Sequence, residues 1–158
     1  MLRRTALLVA GLMACALCAP PASALQSLTG TWTGSAVCDV SALGGFDHTK
    51  SDVTLTLDDA GDGTGFARSG EAVFQVVVIA DPDASGRGRL GGSVCNLALS
   101  EEDRALQLVV KAKDGSDKAT LAGELISIGF GDERFVQVCK LKLKRTSTTL
   151  ADPIVCPT

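Results

Sequence analysis

The sequence predicts an all-β domain, an eight-stranded antiparallel up-and-down meander barrel, on three observations. Apolar and polar residues alternate with period two, the alternation is broken about every ten to fifteen residues by glycine, aspartate or proline, and helical periodicity is nearly absent. No crossover helix separates the strands, so sequence neighbours pair, and a meander of eight removes its two exposed edges by joining first strand to last. A β-sandwich of immunoglobulin type is the alternative, since it also needs short strands and a buried tryptophan. Its Cys, Trp, Cys order is missing: Trp32 precedes Cys38, Cys95, Cys139 and Cys156.

The first 24 residues stand outside that domain. Arg3 and Arg4 form a basic n-region, Thr5 to Leu17 an apolar h-region too short to span a bilayer, and Ala22-Ser23-Ala24 a cleavage site. The expectation is a secreted or periplasmic protein cleaved after Ala24; a lipoprotein anchored at Cys15 is the alternative. A barrel domain of residues 25–145 and a tail of residues 146–158 follow. The longest later apolar run is Val76 to Ala80, so no transmembrane segment is expected. Removing Arg3 and Arg4 from 15 basic residues leaves 13 against 18 acidic ones, a net charge near −5 that argues against nucleic acid and anionic lipid as partners. Lys140, Lys142, Lys144 and Arg145 alternate along a strand and read as a solvated sheet face.

Strand one is expected over Leu28 to Val40, with Trp32, Gly34, Ala36 and Cys38 on one face. Ser41 to Lys50, with Gly44-Gly45 and the lone His48, reads as a loop. Strand two follows over Asp52 to Asp58, with Val53, Leu55 and Leu57 inward against Thr54 and Thr56, the pattern of a half-buried strand. Asp58 to Gly63 turns into strand three, Thr64 to Ser69. Strand four, Glu71 to Ala80, is apolar on both faces: Phe74, Val76 and Val78 alternate with Val73, Val77 and Ile79, so its outer side is expected to be covered. Asp81 to Gly86 is a turn by composition. Strand five runs from Arg87 to Leu99 with Cys95, Leu97 and Leu99 in phase, and strand six from Arg104 to Lys113 with Leu106, Leu108 and Val110 inward. The Asp114 to Asp117 turn leads to strand seven, Ala119 to Ile128, and the Gly129 to Asp132 turn to strand eight, Glu133 to Arg145.

Four cysteines remain after export, and an even count in an exported chain reads as two disulfides, with three connectivities open. Zinc is disfavoured, because there is no Cys-x-x-Cys pair and one histidine. No metal or cofactor is expected elsewhere: Asp58, Asp59 and Asp62 would need an oxygen ligand and a glutamate at the slots held by Ala60 and Ser69. His48 beside Asp47 or Asp52 lacks a Gly-x-Ser-x-Gly elbow to present a serine. Glu101-Glu102-Asp103 reads as solvated acids at a turn, and no catalytic residue is assigned.

Gly30-Thr31-Trp32, opening the first strand just after the signal, resembles the Gly-x-Trp of lipocalins, and Leu28 to Thr33 is similar to the opening of avidin-type barrels. An avidin-type site needs several tryptophans, and this chain has one Trp and no Tyr; biotin is not implied. The lipocalin resemblance implies an arginine from the last strand stacked over that tryptophan by cation–π attraction. Opposed residues in an antiparallel pair have a constant sum of numbers, so Cys38 opposite Cys139 puts Trp32 opposite Arg145. The resemblance thus implies Cys38–Cys139, and with it Cys95–Cys156 tying the tail back. An eight-stranded barrel either fills its lumen or keeps room for one small ligand. Small Gly34, Ala36 and Gly92 suggest room, and Trp32, Ala36, Leu55, Phe74, Leu108 and Phe135 are the candidate lumen residues for a small apolar ligand. The alternative is a protein-interaction module of the envelope or medium, such as a protease inhibitor, using the outer face of Glu71 to Ala80. The sequence sets no oligomeric state.

Overall fold

The computed structural model describes residues 27–42, 44–81, 86–95, 102–112, 119–130 and 134–157. Residues 1–26, with Cys15 and Ala24, the expected turn at 114–117, Leu97, Leu99 and Glu101 lie outside these residues. Eight strands form one closed up-and-down barrel in sequence order: β1 (Gly30–Ala42), β2 (Gly45–Asp59), β3 (Thr64–Ser69), β4 (Ala72–Ala80), β5 (Arg87–Val94), β6 (Glu102–Ala112), β7 (Ala119–Gly129) and β8 (Phe135–Ser147). Every pairing is antiparallel, and β1 closes the ring against β8.

Period-two alternation does the sorting. Trp32, Leu55, Leu57, Phe74, Leu90, Leu108, Val110, Leu121 and Leu143 are all nearly inaccessible and form one core. The partners between them, such as Lys140, Lys142 and Lys144 on β8, are exposed. This apolar-inside, polar-outside order is the reverse of a barrel that spans a bilayer. Among the described residues, no helix is long and apolar enough to cross a membrane.

The seam carries the register implied by the lipocalin resemblance. Cys38 faces Cys139 and Trp32 faces Arg145, with a shift between Thr31 and Trp32. The disulfides are Cys38–Cys139 and Cys95–Cys156, the first joining residues 101 apart. Paired cysteines of this kind point to an oxidising compartment. The tail is held by the second disulfide and by Ile154, which is 2% exposed and whose N–H reaches Asp58 Oδ2 at 3.5 Å.

Four expectations are corrected. Ser41 to Lys50 is a hairpin, with β1 running to Ala42 and β2 starting at Gly45. The segment hid its strand character because residues 45–52 are exposed on both faces beyond the packed core, so nothing selects alternation there. Strand five ends at Val94, and Cys95 sits in a bend with its N–H donating to the Val73 carbonyl at 2.7 Å. The outer side of β4 is covered only at Val73; Val77 and Ile79 are 52% and 61% exposed. Gly34 and Gly92 do not open the lumen: a Cβ at Gly34 would run into the Lys142 carbonyl oxygen, and one at Gly92 into the Gln75 carbonyl oxygen. These glycines let neighbouring backbones close in on the strand, as barrel curvature requires.

The Asp-rich turn is a fastening. Asp59 accepts from the Leu28 N–H through Oδ2 and from the Gly61 N–H through Oδ1, both at 2.9 Å. The Thr64 hydroxyl, and then the Thr64 N–H, hold the Asp62 carboxyl below the ordinary carboxylate range.

Two outcomes follow. Gly92→Ala destabilises by roughly 1–3 kcal/mol in urea unfolding, as overpacked sites do, whereas Gly91→Ala, whose Cβ meets nothing nearer than 3.7 Å, changes stability by less than about 0.5 kcal/mol. Replacing Cys38 and Cys139 together by alanine lowers stability by about 2–5 kcal/mol, read in the same assay.

Candidate functional site

The closed end of the barrel is built around Trp32. Its Nε1 donates to the Leu28 carbonyl at 3.1 Å, and its ring is 0% exposed. The Arg145 guanidinium lies 4.7 Å from the ring centroid and donates through Nη2 to the Ser27 carbonyl at 2.6 Å. Leu28, 1% exposed, fills the floor beside the indole, while Asp59 holds its N–H. The sequence pointed to Trp32 and Arg145; it did not point to Leu28 and Asp59 as floor residues, because their contact spans 31 positions and rests on a carboxylate read as part of a turn.

The candidate lumen residues divide. Trp32, Leu55, Phe74 and Leu108 are at 0–1% exposure and Ala36 is at 5%, all within the core. Side chains at 0–1% leave no water-sized space against them, so the part of the barrel they occupy is packed. Phe135 stands apart. It lies at the opposite end, where β1 and β7 finish and β8 begins, in an open cleft of about 410 Å3 lined by Ser41, Ala42, Ile128, Gly129, Phe130, Arg134, Phe135 and Val136.

Among the described residues, the lining of the cleft is mainly apolar and includes Arg134. Ala42 and Gly129 both stand opposite Phe135 across the strands, so neither neighbouring strand sets a bulky side chain directly against it. Phe130 is 63% and Val136 45% exposed, so two apolar groups are left in water at its edge. The sequence reading missed this site, apart from Phe135, because its lining comes from three strand ends and Phe130 falls in a segment read as a turn.

Neither a protein-family profile, nor a curated protein, nor a solved structure matches the chain. The arrangement of the residues is therefore the ground for a functional reading.

His48 is the remaining chemical candidate. Its Nδ1 lies 2.7 Å from Asp39 Oδ1, and its backbone N–H donates to Asp47 Oδ1 at 2.8 Å. The sequence singled out Asp47 and Asp52; the strand register instead sets Asp39 directly opposite His48. Both side chains are on the outer face, 64% and 38% exposed for His48 and Asp39.

Removing the Arg145 guanidinium tests the closed end. Arg145→Met forfeits the stacking and the bond to Ser27, and lowers stability by about 2 kcal/mol. Because Trp32 is the single fluorophore of its kind, its emission shifts to the red as water reaches the ring. Arg145→Lys recovers only part of the loss, since an ammonium cannot stack flat on the indole.

Proposed function

We propose that the protein is an exported, lipocalin-like binder of a small aliphatic or lipidic molecule, taken at the rim of the barrel and not in its packed interior. The cleft around Phe135 carries this reading: its volume of about 410 Å3 falls within the range of small-molecule sites. Ile128, Phe130, Phe135 and Val136 offer apolar surface, and Arg134 stands at the same cleft, where the polar end of an amphipathic molecule would meet it.

Binding, not catalysis, is the activity we infer. Among the described residues, the imidazole of His48 meets the Asp39 carboxylate and not a hydroxyl it could activate. Export is supported by the two disulfides, which belong in an oxidising compartment. The lipocalin comparison is supported by the eight-stranded meander and by Trp32 under Arg145.

Titration with N-phenyl-1-naphthylamine, an apolar fluorophore, tests the site. Saturable binding is expected, weakened about tenfold or more by Phe130→Ser combined with Val136→Ser, on the scale of two lost apolar contacts. Both positions are exposed, so the fold is retained. No saturable binding, or binding indifferent to the double variant, rejects the rim site.

A further inference from the structure

The outer face of β4, β5 and β6 combines two features that a solvated sheet face does not need. Arg87 of β5 stands directly opposite Lys111 of β6, and both are exposed; like charges in that position oppose strand pairing. In the next row, Arg89 sits between Ile79 of β4 and Val109 of β6, which are 61% and 45% exposed, with Val77 at 52% beside them. Three branched aliphatic side chains are thus left in water among cations. Among the described residues, none of Arg87, Arg89 and Lys111 has an ion-pair partner within 4.0 Å.

The rows continue through short side chains. Ala122 and Thr120 of β7 follow Val109 and Lys111, and Lys142 and Lys144 of β8 come next. The acid in these two rows, among the described residues, is Asp81, which follows β4 and donates its N–H to the Arg87 carbonyl at 2.9 Å. In the adjoining row, Glu124 stands opposite Lys140. On β2, which lies across the ring from β6, Asp52 and Asp58 are carried on the outer face. The chain is acidic in total, at −3, yet Arg87, Arg89, Lys111, Lys140, Lys142 and Lys144 gather on β5, β6 and β8, while β2 and β3 carry Lys50 and Arg68.

We propose that this face docks on a bilayer surface carrying anionic headgroups. A purely charged polyanion would meet the cations and leave Val77, Ile79 and Val109 without a partner. A lipid surface takes both, with aliphatic side chains entering the headgroup boundary and guanidinium and ammonium groups meeting phosphates. A cylinder rests on a plane along a few neighbouring strands, so β4 to β6 make the contact. Lys142 and Lys144 stand on the flank and add to the attraction from within about a Debye length. Asp52 and Asp58 on β2 face away from that contact. This docking is independent of the rim cleft, whose residues are on other strands.

The test is sedimentation of the purified exported protein, its N-terminus fixed by mass spectrometry, with vesicles of phosphatidylcholine alone or mixed with phosphatidylglycerol. Binding is expected to the mixed vesicles only and to weaken as salt rises. Arg89→Glu with Lys111→Glu weakens it by more than about tenfold, since each cation near such a surface contributes about fivefold. Ile79→Ser weakens it on its own. Lys50→Glu, on β2, leaves the strong preference for mixed vesicles in place, and circular dichroism of each variant reports an intact barrel. Equal partition to both vesicle types, no binding, or retention of full binding by Arg89→Glu with Lys111→Glu overturns the proposal. So does a double variant that alters only the sedimentation of the free protein, which would make the face a contact between copies.

Discussion

The pairing of β1 with β8 is the constraint on which the rest depends. Without it the meander has two long open edges, each a row of unpaired backbone groups. Closing it brings together residues more than ninety positions apart, and such contacts are gained late and against the largest loss of chain entropy. The sequence places its strongest fasteners there. Trp32 packs against the core, Arg145 covers it, and Cys38 and Cys139 face each other on the same seam. One register serves all of them, because an antiparallel pair that aligns two residues aligns every other pair along its length. A slip of β1 by one residue would turn Trp32 outward and separate the cysteines.

How the barrel closes also decides where it can hold anything. Gly34, Gly92 and Gly123 each lie under a carbonyl oxygen of an adjoining strand, so their missing side chains are used for the approach of backbones. The interior around Trp32 is then filled by leucines at 0–1% exposure. Space that a count of small residues would place in the lumen is absent where those residues stand. It reappears at the far end, where the Phe135 cleft opens among strand ends and the fold no longer needs to pack tightly.

Much of the architecture was legible because most strands are buried on one face and polar on the other. That alternation located β2, β6 and β8 and, with the lipocalin-like Gly30-Thr31-Trp32, led to the seam register. Failures fall where burial does not act. The β1–β2 hairpin tip is exposed on both faces, so Phe46, His48 and Lys50 show no period. The outer side of β4 looked like a buried strand because Val77 and Ile79 are apolar, and composition alone cannot distinguish a covered face from an uncovered one. The basic face was invisible for a different reason. Lys142 and Lys144 read as an ordinary solvated strand until the topology set Arg87, Arg89 and Lys111 in the same two rows.

The two candidate surfaces occupy different ends and sides of one cylinder. Arg87, Lys111 and Lys144 share a row near the closed end, adjoining Arg145 in the chain. The cleft is at the open end, on β1, β7 and β8. A barrel resting on a lipid surface through β4 to β6 therefore keeps its rim cleft uncovered, and an apolar molecule could be received from the same surface without the protein leaving it. That geometry joins the two readings physically while leaving them separable. On the proposed readings, cations on β5 and β6 would govern residence at the surface, apolar side chains around Phe135 would govern retention of a ligand, and the seam through Trp32 and Cys38 holds the two surfaces in a fixed relation.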